Sequence, residues 1–171
     1  SYNMQYGTSY RTVMPTNLYG IHDNFHPENS HVIPGMMRRI HEAKMADLPE
    51  VGIWGSGLPK REFLFVDDLV EACLFLLEYD KYYSAVNIGS QEEVSIRELA
   101  EIMSEVLGYK GDLVFDTSKP DGMPLKKVDT SKMDALGWKS STSLREGLNT
   151  VYQWYLSNNV SQNNHAKELY Q

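Results

Sequence analysis

The sequence predicts an α/β protein with some parallel sheet, and three features of it carry that prediction. Short β-type runs alternate with longer runs of helical spacing. Two of the helical runs open on Ser-x-x-Glu, the reciprocal cap of a helix start. Two short strands bordered by long loops, at Val13 and Val86, look like members of such a sheet whose other strands are not in this sequence.

Taken in order, Ser1 to Gly7 has the polar, aromatic texture of a helix's last turns closing on glycine, yet no helix start precedes it. An N-terminal region lying before Ser1 is therefore expected. Arg11-Thr12-Val13-Met14-Pro15 reads as a short strand ending at a proline, which suits a strand end better than its middle. Thr16 to Asn29 is dense in Asn, Gly, Asp and Pro and reads as loop. Val32, Ile33, Met36, Met37 and Ile40 recur at helical spacing, with Pro34 tolerable in a first turn. A helix beginning just after His31 follows.

Val51-Gly52-Ile53-Trp54 and Glu62 to Val66 read as strands joined through Gly55-Ser56-Gly57. Asp67 is expected to cap the next helix, with Leu69, Val70, Ala72, Cys73, Leu76 and Leu77 on one wide apolar face. Ala85 to Ile88 is a strand stopped by Gly89. Ser95 with Glu98, and Ser143 with Glu146, open two further amphipathic helices. Between them lie a strand at Leu113-Val114-Phe115, a Lys119-Pro120-Asp121-Gly122 turn and a short helix ending at Leu136-Gly137. The tail after Asn158 is polar and expected to fray.

Composition limits the function classes. At 171 residues the chain can bury one substantial core or two small interleaved ones. A net charge of −7 argues against nucleic acid or an anionic membrane as the main partner, because both demand clustered surplus Lys and Arg. One cysteine, Cys73, allows no internal disulfide, so a reducing cytoplasm is the expected home and a core position its expected role. No run of roughly 18 apolar residues exists, so no membrane span is expected.

Three stretches carry a specific resemblance: Met14 to Pro34, with Pro-Thr-Asn-Leu-Tyr-Gly and Asn-Ser-His-Val-Ile-Pro; Trp54 to Asp68, with Arg-Glu-Phe-Leu-Phe-Val-Asp-Asp; and Phe115 to Gly122, with Ser-Lys-Pro-Asp-Gly. They resemble extended short-chain dehydrogenase/reductases in the version carried by GDP-L-fucose synthases, over nearly the whole chain to about Leu156. The resemblance implies the C-terminal part of an NAD(P)-binding Rossmann-like enzyme with an α/β substrate-binding lobe. Residues 1–27 and 62–90 would belong to the Rossmann-like domain, and 28–61 and 91–171 to the substrate lobe. The implied reaction converts GDP-4-keto-6-deoxy-D-mannose to GDP-L-fucose by epimerising carbons 3 and 5 and reducing the 4-ketone with NADPH. A homodimer is implied for the complete enzyme.

That chemistry needs an acid and a base flanking the sugar ring, since a proton beside the ketone leaves one face and returns to the other. The resemblance assigns His31 to the acid, and imidazole suits the task because it titrates near working pH. A histidine that merely caps the following helix is the plainer alternative. Pro15, Thr16, Asn17 and Leu18, with His31, match the family's segment at the nicotinamide end of the cofactor. Asn17 also matches a substrate contact, against the alternative of an ordinary turn asparagine. Arg39 and Arg61 match substrate-binding arginines, whose planar forks suit a pyrophosphate. Without that match, Arg38, Arg39 and His41 would read as a solvated helix face. Lys126 matches a basic residue near the nucleotide, with Lys127 as its rival. Trp54 matches a substrate-contacting tryptophan, although a strand tryptophan on its own is more often core. Asp112 departs from relatives that place an arginine there.

Two family features are not in this sequence. There is no Gly-x-x-Gly-x-x-Gly loop, the nearest approach being Gly55-Ser56-Gly57-Leu58-Pro59-Lys60. None of the eleven tyrosines has lysine four positions later, so the pair that would protonate the developing alkoxide is absent. The chain alone is therefore expected not to reduce a sugar ketone, and most cofactor contacts are expected from a preceding region. Two other readings stay open: another extended-family nucleotide-sugar epimerase or dehydratase, and a non-catalytic sugar-nucleotide-binding module.

Overall fold

A computed structural model describes residues 2–79 and 85–160. In chain order the elements are α1 (Tyr2–Tyr6), β1 (Val13–Pro15), β2 (Asn17–Tyr19), α2 (Val32–Met45), β3 (Glu50–Trp54), β4 (Lys60–Phe65), α3 (Val66–Glu78), β5 (Val86–Ile88), β6 (Glu93–Ser95), α4 (Ile96–Leu107), β7 (Asp112–Asp116), β8 (Leu125–Lys126), α5 (Ser131–Leu136) and α6 (Leu144–Tyr155). A π-helical turn, Leu156–Val160, follows α6. The tail from residue 161 lies outside the described residues.

The sheets are largely parallel, as the alternation of strands and helices predicted. β1 pairs with β5, β2 with β4, and β3 with β7, all parallel. The sheet around β4 also takes in β8, parallel, and β6, antiparallel. The two strands flanking Gly55-Ser56-Gly57 do not pair with each other. The turn passes the chain from one sheet to another.

Two hydrophobic clusters result. The larger joins α2, β3, β4, α4 and α6 around Met36, Met37, Ile40, Ile53, Leu99, Met103 and Leu148. The smaller joins β4, α3, β5 and α5 through Leu64, Ala72, Leu76, Val86, Ile88 and Met133. The run from Val13 to Tyr19 connects them: its first half bonds to β5 and its second to β4, with Thr16 between. Reading Thr16 to Asn29 as unbroken loop was therefore incorrect at Asn17–Tyr19. Polar Asn17 and the short span conceal a strand whose pairing is entirely long-range.

Both predicted capping boxes form. Ser95 Oγ accepts from the Glu98 N–H at 3.1 Å and Ser143 Oγ from the Glu146 N–H at 3.3 Å, while each glutamate takes back the serine N–H. Gly108 and Gly137 close α4 and α5 in the left-handed conformation. Asp67, by contrast, does not cap α3, because Phe65 occupies that place and the helix begins at Val66. Its neighbour Asp68 does the polar work instead. Buried, it accepts from the backbone N–H and hydroxyl of both Ser141 and Thr142, tying the approach to α6 onto α3.

The wide apolar face predicted for α3 is only partly covered. Ala72 and Leu76 are buried, whereas Val70, Leu74 and Leu77 are more than half exposed. Cys73 is half-buried. No helix among the described residues is long and apolar enough to cross a membrane.

Candidate functional site

A cleft of about 600 Å³ opens beyond the C-terminal ends of β2 and β3. Five of the residues singled out in the sequence line it: Asn17, Leu18, His31, Trp54 and Arg61. They come from three strands and the loop before α2, up to 44 positions apart, and only the fold brings them together.

His31 stands at the N-terminal boundary of α2 in extended conformation, and its side chain makes no capping bond, so the plainer capping role does not apply. The ring is exposed at the cleft edge. The loop leading to it is fastened to α6. The His22 ring meets Trp154 edge-on at 4.9 Å between centroids, and Phe25 lies 4.7 Å from Tyr155. Ser30 then packs so closely on the first turn of α2 that a Cβ at Gly35 would lie 2.5 Å from its hydroxyl.

Trp54 ends β3 and is 68 % exposed, which excludes the core alternative. The Arg39 guanidinium carbon stands 5.8 Å from its ring centroid and Lys119 Nζ 5.9 Å. Both distances lie within cation–π reach. Arg39 does not line the cleft directly and reaches it through Trp54. Partial burial and the neighbouring Arg38 push the Arg39 guanidinium below its usual range. The three residues read as a solvated helix face separate in the fold. Arg38 pairs with Glu42 at 2.6 Å, Arg39 turns to Trp54, and His41 is buried with Nδ1 3.0 Å from the Tyr152 hydroxyl.

Arg61 projects from β4 and donates from Nη1 to the carbonyls of Lys60 and Met123, at 2.7 and 2.6 Å. The segment it holds, Pro120 to Met123, roofs the cleft, and Asp121 ties that roof to the β3–β4 turn. Its carboxylate accepts from Ser56 N–H at 2.9 Å and Ser56 Oγ at 2.7 Å. These donations hold the Asp121 carboxyl below the usual carboxylate range.

Pro15 and Thr16 sit behind the cleft. Pro15 closes β1, and buried Thr16 spends its N–H on Ile88 and its hydroxyl on the Glu62 carbonyl. Asn17 is engaged at both polar ends, donating to the Glu62 carbonyl at 2.8 Å and accepting from Lys126 Nζ at 3.1 Å. Lys127 instead pairs with Glu93, so of the two lysines Lys126 is the one directed toward the cleft residues. Asp112 opens β7, exposed and outside the cleft lining.

A dinucleotide pyrophosphate needs free backbone N–H groups and glycines with open space beside them. The Gly55-Ser56-Gly57 turn does not fit one. The Ser56 N–H is taken by Asp121, and Cβ atoms at Gly55 and Gly57 would lie 2.4 Å from Asp121 Oδ1 and 2.6 Å from the Phe115 ring. No group of three or more metal-ligating side chains occurs among the described residues.

Sequence reasoning missed Lys119, read only as part of a turn, and the tie between Asp121 and Ser56. Partners 65 positions apart leave no local signal; the exposed Pro-Asp-Gly run was the only hint.

Parallel strands flanked by helices, with the cleft beyond the strands' carboxyl ends, define a Rossmann-like nucleotide-binding α/β protein. The chain belongs to the NAD dependent epimerase/dehydratase family, whose model matches residues 1–89. GDP-L-fucose synthase 1 of Arabidopsis thaliana is 56 % identical over 158 residues, covering 92 % of this chain and 49 % of that protein. The GDP-L-fucose synthase of Escherichia coli K12 is 51 % identical over 167 residues, covering 92 % and 52 %. A solved GDP-L-fucose synthetase of Naegleria fowleri bound to NADP superposes with a TM-score of 0.84 at 30 % identity, over 93 % of this chain and 51 % of that one. The chain spans about half the length of the curated relatives it matches.

Proposed function

We propose that this chain is the sugar-nucleotide-binding part of an enzyme that converts GDP-4-keto-6-deoxy-D-mannose to GDP-L-fucose by 3,5-epimerisation and NADPH-dependent 4-reduction. The observation that carries the reading is the exposed Trp54 ring, approached by Arg39 and Lys119, in the same cleft as Arg61 and His31. An aromatic ring beside cations that form no ion pair among the described residues suits a base or sugar carrying a diphosphate. In this reading Arg39, Arg61 and Lys126 hold the phosphates and Trp54 covers the sugar nucleotide. His31 protonates the enolate carbon during epimerisation.

Asn17 and Leu18, with His31, would meet the nicotinamide end of the cofactor, which supplies a hydride when bound. Pro15 and Thr16 support that contact from behind. The cofactor's phosphates find no cradle in the Gly55–Gly57 turn, consistent with most cofactor contacts coming from a preceding region. The same reading divides the chain into Rossmann-like residues 1–27 and 62–90 and a substrate lobe of 28–61 and 91–171. The two cores follow that division only in part: Tyr19, Phe63 and Phe65 pack in the larger core with the lobe, and α5 packs with β5 and α3 in the smaller. A reducing cytoplasm and a homodimeric complete enzyme complete the proposal.

Calorimetric titration of the chain with GDP tests the reading. Binding that weakens in Arg61→Ala supports it, and indifference to every guanine nucleotide would leave only a structural module. Consumption of NADPH with GDP-4-keto-6-deoxymannose by the complete enzyme separates this substrate from those of other family epimerases.

A further inference from the structure

Strand β4 changes partners at one residue. Lys60–Glu62 pair with β6, and Lys60–Arg61 with β8 as well, whereas Phe63–Phe65 pair with β2. Glu62 stands at the change, and both of its ends are in use. Its carbonyl accepts from Thr16 Oγ1 at 3.2 Å and Asn17 Nδ2 at 2.8 Å. Its side chain, in a residue only 2 % exposed, accepts the Gln91 N–H on Oε1 at 2.8 Å and the Val128 N–H on Oε2 at 3.2 Å. Gly89 lies against the carboxyl so closely that a Cβ there would come within 2.1 Å of Oε1.

Among the described residues no Lys, Arg or His forms an ion pair with Glu62. Burying a carboxyl on neutral donors alone is costly, and an apolar side chain would fill this point more cheaply. What the carboxyl provides is position. Val128 follows Lys126 by two residues, and Lys126 donates to the Asn17 amide that the Glu62 carbonyl holds. One residue thus fixes both ends of the Lys126–Asn17 bond at the cleft edge.

We propose that Glu62 is a positioning residue for the nucleotide cleft, setting the Lys126 ammonium where it receives an anionic diphosphate. This rests on the sugar-nucleotide reading above. Glu62→Gln keeps the shape but turns an amide NH₂ toward a backbone N–H, so one bond is lost and two donors face each other.

The experiment is GDP titration of the chain and its variants by calorimetry, with thermal midpoints measured alongside. Glu62→Gln should raise the GDP dissociation constant roughly tenfold, and on a Lys126→Ala background it should change affinity by less than about twofold, because the group it positions is gone. Met133→Ala, in the smaller core, serves as the stability control and should lower the midpoint without changing affinity. If Glu62→Gln does not fold, Gly89→Ala, which crowds the same carboxyl, takes its place in the cycle with the same expectation. Unchanged affinity in Glu62→Gln, or an equal loss with and without Lys126, overturns the positioning role while leaving the cleft reading intact. Failure of the unaltered chain to bind GDP overturns the reading and this inference together.

Discussion

The Arg39 guanidinium carbon and the Trp54 ring centroid are 5.8 Å apart, joining the middle of α2 to the exposed end of β3. Lys119, from a separate segment of the chain, approaches the same ring at 5.9 Å, so two cations stand within reach of one aromatic ring. Trp54 gives little to the core, being 68 % exposed, and its removal should lower the thermal midpoint only slightly. Trp54→Ala should weaken GDP binding about 3- to 10-fold, the range of an aromatic contact, while Trp54→Phe recovers part of the loss. Calorimetry reads this directly. An affinity loss matched by a collapse of the midpoint would mean that Trp54 is structural after all.

Asp121 and Ser56 hold the cleft roof to the β3–β4 turn, and their contact has a pH signature. The Ser56 hydroxyl and N–H favour the ionised carboxyl, so its folded pKa is lowered. A lowered carboxyl pKa means that the tie is intact above the ordinary aspartate range and is lost only as pH falls through the lowered folded value. Ser56→Ala removes the hydroxyl donor, and the Asp121 titration followed by carbon NMR should move up toward 3.8, its ordinary value. A titration that stays in place would show that the hydroxyl contributes nothing to the tie.

How much of this was legible in the sequence follows from the range over which each feature is encoded. The capping boxes at Ser95 and Ser143, and the helix after His31, are written within four residues and were read correctly. The chemistry-bearing residues Asn17, His31, Trp54 and Arg61 were found by resemblance, and the fold gathers them into one cleft. Strands β2, β6 and β8 escaped notice because each is two or three residues long and owes its existence to β4. Asp67 was chosen as the cap because aspartate before an apolar stripe is the usual signal. The strand instead runs straight into the helix, and Asp68 is spent on Ser141 and Thr142. His41 looked solvent-facing beside two arginines, yet at position i+4 from Met37 it falls on the buried side of α2.

That buried histidine makes stability depend on pH. Burial, followed by the nearby Lys44, pushes the His41 imidazole below 6.5, with Glu42 opposing weakly. Native His41 is thus neutral over a range where the unfolded chain binds a proton, so stability is fully present above pH 6.5 and falls as the pH drops from there toward the folded pKa. Urea unfolding between pH 7.5 and about 5.5 should show the decline, and His41→Phe should flatten it, although loss of the Tyr152 contact costs about 1 kcal/mol at pH 7.5. An identical slope in the two proteins would assign the pH dependence to other groups.

His31 gives the sharpest test of the chemistry, and it belongs to the complete enzyme. Its side chain makes no capping bond and is exposed, so His31→Gln should alter stability by less than about 0.5 kcal/mol. Glutamine preserves size and hydrogen bonding but cannot deliver a proton near neutral pH. Epimerisation, followed as solvent deuterium entering carbons 3 and 5 of the sugar, should therefore slow by about 10²-fold or more. Reduction of an already epimerised ketone, followed by NADPH consumption, does not need that proton and should fall far less. The contrast between the two rates carries the argument, because a variant that merely loosened the cleft would depress both alike. Equal loss in both steps, or in neither, would remove His31 from the acid role and leave it as a binding residue at the edge of α2.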